Sequence, residues 1–402
     1  MSLCGKHIVV GISGGIAAYK IPELIRSLVK AGAEVRITTT KNALQFVTEL
    51  TLQTVSGCRV YSDVFAAINE HATEHISLPE WADVMLVAPT TANVLGKMAC
   101  GIADDALTTT IASCVVRKPI VIAPSMNDKM WENPATQKDL ETIRQWEHVS
   151  IIEPKEGSLA CGTCGKGRMP EIEELQEALE YALTPKTMKG QRILITAGGT
   201  QEAIDPVRFI SNYSTGKMGF ALAQACARRG AEVTLICGSV TTTLHNPFGL
   251  ILRVEALSAQ AMYEACVTAW SRMDRAILCA AVADFTPAHV ADQKIKKQSG
   301  QTAMTLELTT THDIERTLGE AKQAHQQLIG FALETQNETK NALHKLERKH
   351  LDAIILNSLR NEGAGFGTDT NRVTILKTDG SSVELPLQSK ADIADGIIDA
   401  CV

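Results

Sequence analysis

The sequence contains one pattern of local structure twice, and this repeat limits the folds that the chain can adopt. The first copy reads KHIVVGISGGIAAYKIPELIRSLVKAGAEVRI, and the second begins with QRILITAGGT and resumes at SNYSTGKMGFALAQACARRGAEVTLI. Each copy contains a β-branched run, a glycine loop, a helical stretch and the letters GAEV before another apolar run. Further short apolar runs alternate with helical stretches after each copy, as is typical of parallel, doubly wound sheets. The sequence therefore predicts an α/β chain with two domains, each built on a doubly wound, mostly parallel sheet.

The helical stretch of each copy repeats its apolar residues at the spacing of a helix with one buried face. Gly32 and Gly230 follow these stretches, where a glycine is expected just beyond a helix C-terminus. The polar, proline-containing segment 183–190 precedes the second copy, and we place the domain boundary there, which gives domains 1–188 and 189–402. Only 4% of the residues are aromatic, so the cores must consist mainly of aliphatic side chains, as in buried parallel strands.

The charge, hydropathy and cysteine content of the chain argue against several classes of protein. A net charge of -6 provides no basic surface for nucleic acid or an anionic membrane. No apolar run approaches the roughly 20 residues needed to span a bilayer, and the N-terminal apolar stretch is too short for a signal peptide. The 11 cysteines lie mostly in apolar patterns, which indicates a reducing compartment rather than a disulfide scaffold. We therefore expect a cytoplasmic protein without nucleic-acid or membrane partners.

Both glycine loops lie where an open α/β sheet binds ligands, between the end of a strand and the start of a helix. Backbone N–H groups and the helix dipole favour phosphate at such a place. The first loop, GISGG at 11–15, matches neither the GxGxxG dinucleotide motif nor the GxxxxGK[ST] phosphate loop. The second copy offers AGGT at 197–200 and SNYSTGK at 211–217. From the pattern alone, a tight turn without a ligand and a helix cap with a solvated lysine both stay open.

Four further stretches make this pattern more specific. They are EHI at 74–76, PSMNDKMW at 124–131, ACG through GRM at 160–169 and KIKK at 294–297. In this order, and with the glycine loops, ISNYSTGKMG and AAVADF, they resemble the bifunctional enzymes of coenzyme A biosynthesis that join phosphopantothenoylcysteine decarboxylase to phosphopantothenate–cysteine ligase. The resemblance covers nearly the whole chain. It implies a flavodoxin-like or Rossmann-like flavoprotein domain followed by a Rossmann-like ligase domain.

For the first domain, the resemblance implies FMN and a redox route to decarboxylation. Oxidation of the substrate's CH2–SH group would let the electrons released with CO2 flow into sulfur, and the cofactor carries this step. The resemblance assigns His75 as base or orienting group, Asn127 to the substrate carboxylate and Cys161 as proton donor, with Arg168 and Met169 in a mobile flap around that cysteine. The positions that it assigns to the FMN site are Gly11, Ser13, Gly14, Gly15, Thr39 and Asn93.

Each of these residues also has an ordinary structural interpretation. A lone histidine such as His75 is usually a partly buried side chain, and Asn127 could cap a helix. Cys161 and Cys164 form CGTC, which could be a redox pair or half of a zinc site. The chain has no second CxxC and no histidine pair at zinc-finger spacing, and the motif lies in a glycine-rich stretch. We therefore interpret Cys164 as incidental.

For the second domain, the resemblance implies that CTP activates the carboxylate of 4'-phosphopantothenate as an acyl cytidylate, from which the amine of L-cysteine displaces CMP. Crowded anionic oxygens of this kind need Mg²⁺ and lysines; no metal ligand is assigned. Asn212 would contact the acyl intermediate and Lys294 would serve amide formation, although KIKK by itself resembles a solvated charge run. Lys345 and Lys349 share a helix face and repel each other unless an anion lies between them, as a triphosphate could. The CTP contacts implied by the resemblance are Asp284, Lys294, His312, Asp313, Ile314, Glu315, Phe331, Lys345 and Lys349.

Two other classes of protein make different predictions. An NAD(P)-dependent oxidoreductase with two Rossmann domains would carry GxGxxG, which neither glycine loop has. A non-catalytic, flavin-binding regulatory subunit on the decarboxylase fold would lack the histidine or the flap cysteine, whereas His75 and Cys161 are both present. The resemblance also implies a homo-oligomer, with trimeric decarboxylase contacts, a flavin site at the subunit boundary and dimeric ligase contacts.

Overall fold

The computed structural model of the chain describes residues 3–65, 74–158, 162, 164–297, 299, 302–358, 360, 363–365 and 367–401. They form two compact units. One comprises the described residues of Ser2–Thr184 together with His245–Phe248, and the other comprises those of Pro185–Leu244 and Gly249–Val402. Cys161, to which the sequence analysis assigns a catalytic role, lies outside the described residues.

The first unit is built on a parallel sheet in the strand order β3-β2-β1-β4-β5-β6. Its strands are β1 (His7–Ile12), β2 (Glu34–Thr39), β3 (Val60–Tyr61), β4 (Val84–Thr90), β5 (Ile120–Pro124) and β6 (Val149–Ile151), and β7 (Lys155–Ser158) and β8 (Cys164–Arg168) form a separate antiparallel hairpin. Its helices are α1 (Ile21–Lys30), α2 (Glu49–Ser56), α3 (Glu74–Trp81), α4 (Ala92–Cys100), α5 (Ala106–Cys114), α6 (Asp128–Trp131), α7 (Pro134–Arg144) and α8 (Ile172–Leu183), with 3-10 turns at Ile16–Lys20 and Ala43–Gln45.

Buried aliphatic side chains cover both faces of this sheet. Along β1, Ile8 and Val10 pack into one core cluster, and Val9 packs into the other, because successive side chains of a strand point to opposite faces. The strand order reverses direction between β1 and β4. This switch point opens a crevice at the carboxyl ends of the two strands, where ligands of doubly wound sheets bind.

The second unit is built on a sheet in the order β13-β12-β9-β14-β17-β18-β19-β20, in which β19 alone runs antiparallel to the other strands. Its sheet strands are β9 (Arg192–Ala197), β12 (Glu232–Cys237), β13 (Ile251–Glu255), β14 (Arg275–Leu278), β17 (Gln327–Glu334), β18 (Ala353–Ser358), β19 (Thr370–Lys377) and β20 (Ser382–Ser389), and two small ribbons pair β10 (Glu202–Ala203) with β11 (Phe209–Ile210) and β15 (Phe285–Pro287) with β16 (Leu308–Thr310). Its helices are α9 (Lys217–Arg228), α10 (Ala259–Trp270), α11 (Ile314–Glu320), α12 (Glu338–Arg348) and α13 (Lys390–Cys401).

The predicted fold class is confirmed in both units. Gly32 and Gly230 lie just beyond α1 and α9 with φ of 86° and 88°, the left-handed conformation that commonly ends a helix. The strand order of the second sheet also reverses between β9 and β14, so each unit has one switch point beside its glycine loop. Among the described helices, none has the length and hydropathy that a membrane crossing requires.

Candidate active sites

Ser13 connects the ends of β1 and β4 at the first switch point through hydrogen bonds. Its hydroxyl donates a hydrogen bond to Pro89 O (2.7 Å) and accepts one from Thr91 N–H (3.0 Å). The side chain is fully buried, and its only donor is used within the protein. Ser13 therefore shapes the crevice between β1 and β4 and does not line the cavities beside it.

Two adjoining cavities lie beside this loop, with volumes of about 510 and 600 Å³. Both are lined by Gly14, Thr91 and Met130. A Cβ atom at Gly14 would lie only 2.5 Å from Cβ of Asn42, so glycine is needed for the loops after β1 and β2 to approach each other. Together the cavities have the size of a cofactor site with room for a substrate.

The residues predicted to bind a flavin divide into two groups. Gly14, Gly15 and Asn93 line the cavities. Gly11 and Thr39 are buried and, like Ser13, are not among the lining residues. The hydroxyl of Thr39, at the carboxyl end of β2, is buried and has no hydrogen-bond partner among the described residues. A buried hydroxyl without a partner costs free energy, but Thr39 lines neither cavity, so its part in the flavin site stays a prediction.

Asn127 and the β7–β8 hairpin meet at the larger cavity. Asn127 begins α6, where its Oδ1 accepts a hydrogen bond from Lys129 N–H (3.0 Å). Met126 N–H donates to Gly167 O (3.0 Å), and a Cβ atom at Gly167 would overlap Met126 O. Asn127, Arg168 and Met169 all line the cavity. The structure thus brings together the PSMNDKMW turn and the hairpin that leads to Cys161.

His75 lies apart from these residues within the described chain. It is half-buried in the first turn of α3, and it is not among the residues that line either cavity. Because Cys161 lies outside the described residues, its position relative to His75 stays a prediction. Cys164 is exposed and has no disulfide.

The sequence analysis missed several residues that line these cavities. Thr91 directly follows β4 and lies two residues before Asn93, and Asn42 follows β2 within three residues. Lys20 lines the larger cavity and forms an ion pair with Glu171 (3.5 Å). Polar residues just after neighbouring parallel strands are the signal that could have identified Thr91 and Asn42.

In the second unit, Asn212 joins the two glycine-loop stretches to the AAVADF segment. Its Nδ2 donates to Ala281 O, and its Oδ1 accepts a hydrogen bond from Ser214 N–H (2.9 Å). Thr200 adds a second tie, because its hydroxyl accepts from Ala283 N–H (3.0 Å). The predicted contact residue therefore lies beside the segment that carries the predicted nucleotide-site acid, Asp284, but Asn212 itself lines neither cavity of the second unit's described residues.

Two adjoining cavities of about 290 and 340 Å³ lie here, and Asp284, Phe331 and Lys345 line both. The smaller cavity extends to the start of α9, where Gly216 and Lys217 lie. The larger one is also lined by five of the predicted CTP contacts: His312, Asp313, Ile314, Glu315 and Lys349. The structure therefore groups all the predicted CTP contacts except Lys294.

The repulsion between Lys345 and Lys349 is relieved by the protein itself. Glu315 Oε2 lies 2.9 Å from Lys345 Nζ and 2.8 Å from Lys349 Nζ, so the anion between the two lysines is a side-chain carboxylate. Burial by itself would lower the pKa of Lys349, but Glu315 and Asp313 outweigh burial and raise that pKa. Lys349 therefore stays charged, and the sequence-based argument for a triphosphate between the two lysines is replaced by Glu315.

Lys294 does not line either cavity of the second unit's described residues. Its side chain is exposed in the segment after β15. The backbone of the next residue, Ile295, forms hydrogen bonds with the side chains of Asp205 and Arg208. Exposure of KIKK is expected for a solvated charge run and also for a segment that reaches a substrate, so it does not separate these two interpretations.

Two lysines at the smaller cavity were missed or only partly interpreted. Lys217 donates to Asp369 Oδ1 (2.6 Å) and to Gly367 O (3.1 Å). Lys390, the first residue of α13, is buried and donates to Gly365 O and Thr368 O. Burial, together with the nearby Lys217 charge, lowers the pKa of Lys390. Lys390 lies far along the chain from the glycine loops, so no local motif marks it.

The described residues contain no group of three His, Cys, Asp or Glu side chains placed to hold a metal ion. A divalent cation at the second site would therefore take most of its ligands from a bound phosphate or from water. This arrangement is common for Mg²⁺, which keeps several waters and often binds through one or two carboxylates plus substrate phosphates. Asp284, at the junction of the two cavities, is the carboxylate best placed for it.

Comparisons with known proteins agree with this two-part architecture. The profile of the Flavoprotein family matches residues 2–184, and that of the DNA/pantothenate metabolism flavoprotein C-terminal domain matches residues 188–402. These matches define the class of the protein: a flavoprotein domain followed by a DNA/pantothenate metabolism flavoprotein C-terminal domain.

Relatives that match nearly the whole chain identify its family within this class. The chain is 46% identical over 399 residues to the coenzyme A biosynthesis bifunctional protein CoaBC of Bacillus subtilis (strain 168), a match that covers 98% of this chain and 96% of that protein. The chain therefore belongs to the CoaBC family of coenzyme A biosynthesis bifunctional proteins. The family and the bifunctional enzyme class predicted from the motifs are thereby confirmed.

Two other matches concern parts of the chain. A cysteine/cysteine sulfinic acid decarboxylase from an unknown prokaryotic organism is 47% identical over 357 residues, which covers 88% of this chain and 98% of that protein. The crystal structure of the C-terminal domain of a coenzyme A biosynthesis bifunctional protein CoaBC is 39% identical and has a TM-score of 0.45, covering 54% of this chain and 95% of that one.

Proposed function

We propose that the chain couples 4'-phosphopantothenate to L-cysteine with CTP and then decarboxylates the product, 4'-phosphopantothenoylcysteine, to 4'-phosphopantetheine with FMN. Residues 189–402 would form the ligase domain and residues 1–188 the decarboxylase domain. The observation that carries this proposal is that each unit has a pair of adjoining cavities at a switch point of its parallel sheet. Paired cavities suit a phosphorylated cofactor or nucleotide next to a second reactant.

In the decarboxylase domain, Gly14, Gly15 and Asn93 would hold FMN, with the Thr39 hydroxyl as a further polar partner. FMN, when bound, would supply the two-electron oxidation that makes CO2 loss possible and the reduction that follows. Asn127 would hold the substrate carboxylate from the larger cavity, which it lines. Cys161, which lies between β7 and β8 in the sequence, would deliver a proton.

His75 would act as the base or orienting group of the same reaction. Because it does not line the cavities of its own chain, the proposal includes a homo-oligomer with the flavin site at a subunit boundary. Trimeric contacts between decarboxylase domains and dimeric contacts between ligase domains would give such an assembly. Its size can be measured by light scattering on the purified protein, and a monomer with full decarboxylase activity would contradict this part of the proposal.

In the ligase domain, CTP would occupy the adjoining cavities around Asp284. Asp284 and phosphate oxygens would hold Mg²⁺, which with lysine side chains would stabilise the charge that develops on activation. Asn212 would contact the acyl cytidylate, and Lys294 would act in the attack by the cysteine amine. Glu315 fixes the positions of Lys345 and Lys349, so these lysines would orient the nucleotide through preformed hydrogen-bond donors.

The histidine assignment is tested with His75→Asn. We expect the variant to keep its yellow flavin but to release no CO2 from 4'-phosphopantothenoylcysteine, because the change affects proton transfer rather than cofactor binding. His148→Asn, in the segment before β6, is the matched control and should keep wild-type CO2 release. Normal CO2 release by His75→Asn would remove His75 from the mechanism.

The cysteine assignment is tested with Cys161→Ser, because a hydroxyl is a far weaker acid than a thiol. We expect this variant to release CO2 and to stop at the oxidised enethiol product, which mass spectrometry distinguishes from 4'-phosphopantetheine by two hydrogens. Cys164→Ser is the control and should give the reduced product. A wild-type yield of 4'-phosphopantetheine from Cys161→Ser would contradict the assignment.

The ligase assignment is tested with Lys294→Gln. We expect pyrophosphate release from CTP and 4'-phosphopantothenate to continue, whereas cysteine-dependent release of CMP falls by more than about a hundredfold to a residual rate. Lys297→Gln, in the same exposed run, is the control. Full amide formation by Lys294→Gln would mean that KIKK is only a solvated charge run. In the same assay, equal turnover of the wild type with ATP would contradict the preference for CTP.

A second candidate activity for the first domain is the decarboxylation of free cysteine or cysteine sulfinic acid. This activity is favoured by the similarity of the chain to the cysteine/cysteine sulfinic acid decarboxylase, which is 47% identical over 357 residues. The two activities differ in their need for the second domain, because free cysteine requires neither CTP nor 4'-phosphopantothenate. CO2 release from L-cysteine alone, at the rate seen with 4'-phosphopantothenoylcysteine, would favour this second activity.

A further inference from the structure

A buried carboxylate organises the turn between the ribbon strands β10 and β11. The side chain of Asp205 is fully buried. Its Oδ1 accepts hydrogen bonds from the backbone N–H groups of Val207 and Arg208, both at 2.9 Å. Its Oδ2 accepts from the guanidinium of Arg208, at 3.0 Å from Nε and through Nη2 as well. One carboxylate therefore closes the turn and fixes the orientation of the arginine.

The same two side chains hold the backbone next to Lys294. Ile295 N–H donates to Asp205 Oδ2 (3.1 Å), and Arg208 Nη2 donates to Ile295 O (2.8 Å). Both hydrogen-bonding groups of Ile295 are thus bound by one ion pair from a segment 90 residues away. A third bond, from Ala291 N–H to Ile204 O (3.0 Å), anchors the start of the segment.

These contacts are specific to a charged carboxylate. The hydrogen bonds from Arg208 hold the pKa of Asp205 well below its usual range, although burial opposes them. A charge-assisted hydrogen bond is shorter and roughly twice as strong as a neutral one. Asparagine would keep the Oδ1 acceptor for the turn, but its amide nitrogen cannot accept from Ile295 N–H or from Arg208. The isosteric change Asp205→Asn therefore removes the hold on Ile295 while retaining the turn.

Fixing Ile295 also restricts where Lys294 can reach. The exposed Lys294 side chain has four freely rotating bonds, and ordering a lysine side chain costs conformational entropy. A loose backbone would add a further entropic cost for each residue to be ordered. A backbone that is held at the adjacent residue avoids that additional cost during the reaction.

We propose that Asp205, through Arg208 and the Ile295 peptide, is a positioning residue that places Lys294 for the amide-forming step of the ligase. Asp205 touches neither substrate nor nucleotide in this role; it acts through the backbone that carries Lys294. The proposal rests on the proposed function of Lys294. It predicts that loss of Asp205 resembles loss of Lys294, with the acyl cytidylate formed and its conversion to amide slowed.

The test separates the two half-reactions in the full-length protein. Asp205→Asn should release pyrophosphate from CTP and 4'-phosphopantothenate within about twofold of the wild-type rate, while cysteine-dependent CMP release falls roughly tenfold to a hundredfold, as expected for a misplaced reacting group. The double variant Asp205→Asn/Lys294→Gln should be no slower than Lys294→Gln, because the two residues act as one unit. Asp379→Asn is the matched control: its carboxylate also closes a turn, through Ser381 N–H (2.8 Å), and both half-reactions should be unchanged.

Each other result would overturn the proposal. An equal loss of both half-reactions in Asp205→Asn would mean general structural support, and independent, multiplying effects in the double variant would mean that Asp205 does not act through Lys294. Wild-type CMP release by Asp205→Asn beside an impaired Lys294→Gln would remove the positioning role alone. Full amide formation by Lys294→Gln would instead remove the proposed function of Lys294, and the positioning role with it. If Asp205→Asn does not fold, Arg208→Lys decides on the same measurements, because lysine cannot hold both Asp205 Oδ2 and Ile295 O in the geometry of the guanidinium.

Discussion

At the scale of single residues, three buried or partly buried lysines have pKa values shifted in opposite directions. Lys349 is surrounded by Asp313 and Glu315, which raise its pKa against the effect of burial. Lys186 donates a hydrogen bond to Arg228 O and Lys390 donates one to Thr368 O, and burial lowers the pKa of each. A raised lysine pKa gives stability that is lost as the pH rises through it, whereas a lowered one makes the folded state gain stability as the pH rises.

Lys186 gives a pH prediction with a definite sign. Burial lowers its pKa from 10.5 to about 8. Between these values the unfolded chain binds more protons than the folded one, so the free energy of unfolding rises with pH across that window. Lys186→Met removes this contribution. In urea titrations from pH 7 to pH 10.5, we therefore expect the wild type to gain stability relative to Lys186→Met.

Lys189→Met is the control for this experiment, because Lys189 is exposed in the same segment. The difference between the wild type and Lys189→Met should stay constant over the same range of pH. A constant difference for Lys186→Met as well would show that the folded-state pKa of Lys186 is not lowered.

At the scale of elements, the hairpin β7–β8 depends on one close contact between backbones. Met126 N–H donates to Gly167 O, and a Cβ atom at position 167 would overlap Met126 O. Lys166 strengthens the same contact region, because its ammonium pairs with Glu153 (2.8 Å) and lies 5.4 Å from the ring centre of Trp131. The hairpin is therefore held against the turn that carries Asn127.

We expect Gly167→Ala to displace β8 from this turn, at a cost on the order of 1–3 kcal/mol for an overpacked site. CO2 release from 4'-phosphopantothenoylcysteine should fall by at least about tenfold, with pyrophosphate release by the ligase unchanged. Both rates are measured on the same preparation.

Gly96→Ala is the matched control within α4. There the added methyl group meets only the carboxylate of Asp139, at 3.3 Å, and alanine favours a helix by up to about 1 kcal/mol over glycine. This variant should keep both activities. Full decarboxylation by Gly167→Ala would mean that the hairpin tolerates displacement from the turn.

At the scale of the whole molecule, the two units are not separated at a single position in the sequence. The segment His245–Phe248 belongs to the first unit, although it lies in sequence after β12 of the second. Phe248 packs against the first unit's core, with its ring centre 4.5 Å from that of Tyr181. A division into 1–188 and 189–402 remains a prediction about domains, and a fragment that ends at residue 188 would lack this contact.

Phe248→Ala tests whether that contact stabilises the first unit. Loss of a half-buried aromatic pair should cost on the order of 1–2 kcal/mol, so we expect flavin fluorescence to appear at a lower temperature on heating. Ligase turnover at 25 °C should be unchanged, because the ring packs within the first unit.

Phe46→Ala is the control, since Phe46 is 43% exposed in the same unit. It should release flavin at the wild-type temperature. An unchanged release temperature for Phe248→Ala would mean that the first unit is stable without the segment.

The local plan of this protein can be predicted from short stretches of its sequence. β-branched runs, amphipathic spacing and the glycines at 32 and 230 gave two parallel sheets and their helix ends, because these features report on the backbone of neighbouring residues. The motifs around Asn127, Asn212 and Asp284 also located the ends of strands where cavities lie. Family membership followed from the same motifs.

Which charges meet depends on the packing of segments that are distant in the sequence. Glu315 neutralises Lys349 from 34 residues away, and Asp205 holds Ile295 from 90 residues away. Lys390 reaches the second unit's smaller cavity from the start of α13, and Thr39 lies buried without a hydrogen-bond partner among the described residues. Such pairings depend on how strands and loops pack in three dimensions, and the free energy of a charge depends on its burial and its neighbours rather than on its place in the sequence.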